Sequence, residues 1–77
     1  MLSTMLEKRS FSLSGHRTSV ALEPDFWLAL DMIARQRGEL LSALVTNVDS
    51  EREAGRPLAS ALRVFALRHH APEPPKA

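Results

Sequence analysis

Residues 16–27 read HRTSVALEPDFW, and within this stretch a strand pattern gives way to the start of a helix. From position 17 to position 22 the side chains alternate between two faces, as in a β-strand. One face carries Thr18, Val20 and Leu22, and the other carries Arg17, Ser19 and Ala21. Pro24 ends the strand and suits the first turn of a helix. A lone strand cannot satisfy its own backbone hydrogen bonds, so the stretch raises the question of where its partner lies.

Three helices are predicted downstream, because apolar residues recur there at helical spacing. The first covers about residues 24–37 and ends at Gly38. The second covers about residues 40–53, and the third about residues 58–69. The apolar residues of the third helix occupy more than one stripe, so this helix is expected to contact two surfaces.

The segment before the strand also alternates, but over a shorter length. In residues 9–13, Phe11 and Leu13 share one side and serines the other, and Gly15 ends the pattern. This segment is either a short extension or a first strand. Residues 1–7 are expected to be a flexible N-terminus, residues 8–70 the folded domain, and the proline-rich residues 71–77 a disordered tail.

The composition fits one small domain that has few ways to stabilise itself. The chain has 77 residues and no cysteine, which excludes disulfides and thiolate metal sites. Oligomerisation is one of the remaining routes to stability for a domain of this size. Ten Lys/Arg against nine Asp/Glu give a net charge of +1, and eight of the ten cations are arginine, the side chain best suited to phosphates and base edges. No segment is long and apolar enough to span a bilayer, so a cytoplasmic protein without a membrane partner is expected.

A second copy of the chain is the expected source of the missing strand. Two copies related by a two-fold axis can pair their strands antiparallel, so that each strand satisfies the other. The expected dimer core consists of Val20, Leu22, Phe26, Leu30, Leu44 and Val45. The outward side chains, repeated by symmetry, would then form one face of a two-stranded ribbon, which a DNA major groove admits.

The order of strand, Pro/acidic helix start, helix, Gly and second helix resembles the ribbon-helix-helix family of Arc- and MetJ-type repressors. HRTSVALEPDFW, followed by GELLSALV and LASALRVFAL, is similar in particular to the small bacterial members with an additional C-terminal helix. The resemblance covers roughly residues 8–70. It implies a mostly α fold with one β-strand: an intertwined homodimer with a two-stranded antiparallel intermolecular ribbon and a third helix.

The resemblance also implies DNA-contacting residues. By position, Arg17, Ser19 and Ala21 would read bases, with Arg17 matching guanine and Ala21 offering a methyl contact to thymine. Without the resemblance, the same three residues would be read as an ordinary solvated strand face. The start of the second helix would anchor a phosphate through backbone N–H groups, although Leu40 stands where the family usually has a capping hydroxyl. The candidate phosphate contacts are Lys8, Arg9, His16, Leu40, Leu41 and Ser42.

Some of these phosphate contacts have simpler explanations. Lys8 and Arg9 form either a basic arm or a solubilising end, and His16 beside Gly15 suits a turn residue. No metal, cofactor or catalytic activity is expected. His69 and His70 are adjacent, and therefore on different helix faces, with no further ligand at suitable spacing.

The predicted function is sequence-dependent binding of double-stranded DNA by a homodimer acting as a transcriptional repressor or other regulator. Because few cations point one way, a single dimer is expected to bind modestly, with tandem dimers on repeated half-sites. One alternative is a dimeric protein-interaction module, adaptor or antitoxin-like, that uses the third helix or the tail to bind a protein partner. Another is an all-helical protein in which residues 8–22 form a loop.

Overall fold

A computed structural model of the chain describes residues 5–70. Two strands precede three helices: β1 (Glu7–Leu13), β2 (His16–Leu22), α1 (Pro24–Arg37), α2 (Leu41–Glu51) and α3 (Leu58–His69). The three predicted helices are confirmed, although α2 is shorter at both ends than expected. The all-helical alternative is wrong, because residues 8–13 and 16–22 lie in two paired strands. The expectations for residues 1–4 and for the tail at 71–77 lie outside the described residues.

The partner of β2 is β1 of the same chain. The two strands pair antiparallel, in a register that runs from Glu7 opposite Leu22 to Leu13 opposite His16. The prediction of a single strand is therefore wrong, and the segment at residues 9–13 belongs to a first strand. The reason lies in the turn, where Ser14 has φ 50° and Gly15 has φ 79°. Two successive residues with positive φ make a tight hairpin turn whose twist matches that of the flanking strands.

The inner face of the hairpin and the three helices enclose one hydrophobic core. Phe11 and Leu13 of β1 and Val20 and Leu22 of β2 are all buried in it. The helices contribute Trp27, Leu30, Ile33, Ala34, Leu44, Val45, Val48, Ala61, Leu62 and Ala66.

The residues assigned to a two-chain core are covered within the single chain. Val20 is 4% exposed, whereas Leu22, Leu30 and Val45 are completely buried. Leu44 is 1% exposed, and Phe26 is partly buried against the same cluster. The folded chain therefore does not need a second copy to bury these side chains.

Helix α1 has clear signals at both ends. Pro24 occupies its first turn, after Glu23 at the N-cap. At the other end Gly38 adopts φ 68°, and the backbone N–H groups of Gly38 and Glu39 donate to Arg35 and Ala34. This is the glycine-terminated helix end that the sequence predicted.

Helix α3 contacts β2, α1 and α2. It buries Ala61, Leu62 and Ala66, while the Nη2 atom of Arg63 lies 2.9 Å from Oε1 of Glu23 at the start of α1. The prediction that this helix contacts more than one surface is confirmed.

Candidate nucleic-acid interface

The hairpin directs one set of side chains away from the helices, and we call this surface the ribbon face. Successive residues of a strand point to opposite sides, so the buried positions of β1 and β2 fix which residues point outward. The ribbon face consists of Lys8, Ser10 and Ser12 on β1 and Arg17, Ser19 and Ala21 on β2. All but Ala21, which is half-buried, are exposed.

The ribbon face has small polar side chains at its centre and a cation towards each end. Lys8 lies opposite Ala21, and Arg17 lies opposite Ser12. These two cross-strand pairs are four positions apart, or about 13 Å along the strands. Between them the Oγ atoms of Ser10 and Ser19 are 3.2 Å apart and share a hydrogen bond across the ribbon. Small side chains at the centre let the backbone approach a surface closely, with a cation at either side.

Both cations of the ribbon face are free to contact a ligand. Lys8 and Arg17 are exposed, and neither forms a salt bridge with any of residues 5–70. Arg17, Ser19 and Ala21, the three predicted base readers, therefore lie together with Lys8 on one surface.

Arg9 lies on the opposite side of β1 from Lys8. Its Nε donates to Oε2 of Glu7 at 2.7 Å, and its Nη1 lies 3.4 Å from Oδ2 of Asp31 on α1. The guanidinium also lies 4.8 Å from the ring centroid of Trp27. Burial opposes its charge, but the hydrogen bond to Glu7 and the charge of Asp31 prevail and raise the pKa of Arg9. The structure therefore shows Arg9 joining β1 to α1 and separates it from the ribbon face.

Trp27 of α1 packs against β1 on the side of the hairpin that faces the helices. Its indole Nε1 donates to the backbone oxygen of Glu7 at 2.7 Å, and its ring centroid lies 5.9 Å from that of Phe11. Because Trp27 is only 1% exposed, these contacts hold β1 against α1 in a fixed position. The ribbon face is thus the outer surface of a rigid, packed element.

The start of α2 has open backbone donors but also a nearby acidic group. Leu40 is the N-cap residue, is 75% exposed and makes no capping hydrogen bond through its side chain, so the first N–H groups of the helix, at Leu41 and Ser42, lack a side-chain cap. Just before it, Oε1 of Glu39 is buried and accepts no hydrogen bond from the part of the chain that the structure describes. The N–H groups would attract an anion, whereas the Glu39 carboxylate would oppose one.

The remaining predicted contact, His16, is exposed beside the hairpin turn, opposite Leu13. This placement agrees with the simpler interpretation of His16 as a turn residue.

Sequence reasoning missed Ser10 and Ser12, which share the ribbon face with the predicted base readers. The signal that could have found them is the alternation of serines with Phe11 and Leu13. That pattern predicts outward serines once residues 9–13 are taken as a strand.

Two other kinds of site are absent from the part of the chain that the structure describes. Residues 5–70 contain no group of three or more His, Cys, Asp or Glu side chains that could hold a metal ion. Within the same residues, no helix is long and apolar enough to cross a membrane.

Comparison with known proteins identifies the family. The ribbon-helix-helix domain family matches residues 6–70. Among solved structures, the chain is similar to an uncharacterized protein from Bordetella pertussis Tohama I, with 37% sequence identity and a TM-score of 0.70. The match covers 82% of this chain and 54% of the other, so the chain spans about half the length of that protein. The comparison with curated proteins found no match. The family match covers most of the chain and includes both strands and all three helices, and the chain therefore belongs to the ribbon-helix-helix domain family.

Proposed function

We propose that the chain binds double-stranded DNA in a sequence-dependent manner by inserting the ribbon face into the major groove, and that it acts as a transcriptional regulator in the cytoplasm. Ribbon-helix-helix domains typically bind DNA, as transcription regulators or antitoxins. The observation that carries the proposal is the ribbon face itself, with exposed Lys8 and Arg17 at either side of small polar side chains.

The dimensions of the ribbon suit a major groove. Two paired strands lie about 5 Å apart, and B-DNA offers a groove about 12 Å wide that admits a two-stranded ribbon. Arg17 can donate two hydrogen bonds to one guanine, and Ser19 can donate or accept at a base edge. Ala21 would contact the methyl group of a thymine.

Phosphate contacts would supply affinity and orientation. Lys8 and the N–H groups at the start of α2, from Leu41 and Ser42, are the proposed contacts. Arg9 is not among the proposed contacts, because its guanidinium is held by Glu7 and Asp31 on the other side of β1.

We further propose that two folded chains associate as a homodimer. Ribbon-helix-helix proteins generally form dimers that bind DNA. Because each chain already contains a complete ribbon and a closed core, the dimer would carry two ribbons instead of one shared between intertwined chains. Each ribbon would contact its own part of the DNA site.

Selection from a random duplex library, followed by titration of the enriched duplex at several salt concentrations, tests DNA binding. We expect the enriched duplexes to share a short motif. We also expect the logarithm of the association constant to fall linearly with the logarithm of the salt concentration, with a slope of about −0.9 for each phosphate neutralised. Failure to enrich any duplex, or an affinity that does not change with salt, would contradict the proposal.

A further inference from the structure

Helices α2 and α3 border a cleft that the proposed DNA contacts do not use. We call it the α2–α3 cleft, and it has a volume of about 240 Å³. One wall is the last turn of α2 with the connection that follows it, and the other is the face of α3 that runs from Ala61 to His69. None of the described residues that line the cleft belongs to the ribbon face or to the start of α2.

The floor of the cleft is apolar and partly open. Val48 is 7% exposed and Ala61 8%, whereas Val64 and Phe65 are half-buried. The imidazole of His69 is stacked on the ring of Phe65, with the two ring centroids 4.2 Å apart. The accessible part of the floor is therefore mainly aliphatic, and apolar surface in a concave site suits the apolar part of a small molecule.

The walls of the cleft carry charges of both signs. Glu51, Glu53 and Arg56 lie on the side of α2 and its connection, and Arg68 lies on α3. These four side chains form no salt bridge with one another or with any other described residue. A long side chain on a helix leans towards the N-terminus of that helix, so Arg68 extends back over Val64. Opposite charges therefore face one cleft without neutralising each other.

Other contacts hold the two walls in place. The Nε atom of Arg52 lies 2.8 Å from Oδ1 of Asp49, and its Nη1 donates to the backbone oxygen of Arg56 at 2.7 Å. On α3, Nδ1 of His69 lies 3.3 Å from Nη2 of Arg37. Because a guanidinium can only donate, Nδ1 is the acceptor, and in the neutral imidazole Nε2 carries the hydrogen and can donate to a ligand.

We propose that the α2–α3 cleft binds a small zwitterion with an apolar body, namely an α-amino acid with an aliphatic side chain. The carboxylate of the ligand would pair with Arg56 and Arg68 and accept a hydrogen bond from Nε2 of His69. Its ammonium group would pair with Glu51 and Glu53, and its side chain would lie on the apolar floor.

The size and the charges of the cleft favour this ligand over others. A volume of about 240 Å³ corresponds to about eight waters at the volume each has in the liquid, which suits an amino acid of the size of leucine. A simple anion would be repelled by Glu51 and Glu53, and a simple cation by Arg56 and Arg68. An uncharged apolar molecule would leave all four charges without a partner.

A titration of the full chain, followed by the chemical shifts of its backbone amides, tests the proposal with four probes. The first is L-leucine. The others are isocaproate, which lacks the ammonium group, isoamylamine, which lacks the carboxylate, and glycine, which lacks the apolar side chain. Leucine should give saturable shifts at the residues that line the cleft, and each of the other probes should bind more weakly by a factor of about ten or more.

Two variants separate the two charges of the ligand. Arg68→Gln should weaken leucine binding about tenfold and leave isoamylamine, which has no carboxylate, unaffected. The double variant Glu51→Gln/Glu53→Gln should also weaken leucine binding, but it should not weaken the binding of isocaproate. Arg35→Gln is the matched control, because Arg35 is an exposed cation outside the cleft. All four positions are exposed, so the circular dichroism spectrum should not change.

Three outcomes would overturn the proposal. The first is the absence of saturable shifts with leucine. The second is binding of isocaproate, isoamylamine or glycine as tight as that of leucine, which would show that the cleft does not recognise a zwitterion with an apolar body. The third is that Arg68→Gln and the double glutamate variant bind leucine as Arg35→Gln does. Because the cleft shares no described residue with the ribbon face, binding of leucine and binding of a duplex can each fail without the other.

Discussion

Two neighbouring cations on β1 have opposite roles. Lys8 is exposed on the ribbon face, whereas Arg9 is paired with Glu7 and Asp31 on the other side of the strand. A step of one residue along a strand reverses the side to which a side chain points. This alternation decides that Lys8 is exposed on the ribbon face and that Arg9 holds β1 to α1.

Arg17→Ala is expected to weaken binding to the selected duplex by roughly 1–3 kcal/mol, because a bidentate contact to guanine would be lost. Its free energy of unfolding should not change, since Arg17 is exposed and forms no salt bridge with any of residues 5–70. Titration by fluorescence anisotropy measures the change. Arg68→Ala, an exposed cation on α3, is the control and should bind nearly as the wild type does. Equal losses in the two variants would contradict base reading by Arg17.

Glu39→Gln is expected to strengthen DNA binding by about 0.3–1 kcal/mol, because it removes a negative charge beside the start of α2. The gain should shrink as salt is added, since counterions screen the repulsion. Titration at low and high salt measures it. Glu53→Gln, beyond the end of α2, is the control and should give a smaller change. No gain at low salt would show that no phosphate approaches this helix start.

At the scale of elements, the sequence predicted the helices well because their end signals are local. Pro24 and Gly38 mark the two ends of α1, and both predicted ends match the structure. The hairpin was harder to predict from the sequence, because its turn is Ser14–Gly15 and not the Asn–Gly or Asp–Gly pair that marks such turns most clearly. With residues 9–13 left open, β2 lacked a partner, and an identical chain was the remaining way to pair it. The outward direction of Arg17, Ser19 and Ala21 could still be predicted, because their alternation does not depend on which strand lies beside them.

Glu23 is expected to make stability depend on pH at the junction of β2 and α1. Its carboxylate accepts a hydrogen bond from its own backbone N–H and another from Arg63, and these lower its pKa below the usual 4.5. A carboxylate with a lowered pKa stabilises the folded state above its unfolded-state pKa, and the contribution is lost as the pH falls through the folded-state value.

Thermal unfolding measured from about pH 3 to pH 7 should therefore show a wild type that is more stable than Glu23→Gln near pH 7. This difference in stability should shrink as the pH falls below about 4.5. Asp25→Asn, an exposed acidic residue in the first turn of α1, is the control. A difference between wild type and Glu23→Gln that stays constant with pH would show that the contact with Arg63 contributes nothing to stability.

At the scale of the whole molecule, the position of the core decides what a core mutation does. Val20 is 4% exposed within one chain, next to the completely buried Leu22 and Leu30. Val20→Asp should therefore unfold the chain itself, beyond any effect on the dimer, because it places an unpaired charge in the core. We expect a loss of at least about 3 kcal/mol in the free energy of unfolding.

Urea denaturation measures this loss, and Ala21→Asp is the matched control. Ala21 is the next residue of β2 and points to the ribbon face, so this variant should fold but bind DNA weakly. A folded Val20→Asp together with an unfolded Ala21→Asp would reverse the assignment of the two faces of β2.

The Ser14–Gly15 turn joins the two strands of the ribbon covalently. In a ribbon built from two identical strands, every substitution would appear twice, and the sequence it recognises would be constrained to be palindromic. In this chain Lys8, Ser10 and Ser12 can change without any matching change in Arg17, Ser19 or Ala21. Within the part of the DNA site that one ribbon contacts, target preference could therefore change one base at a time, and the second chain of the proposed homodimer would repeat each change in its own part.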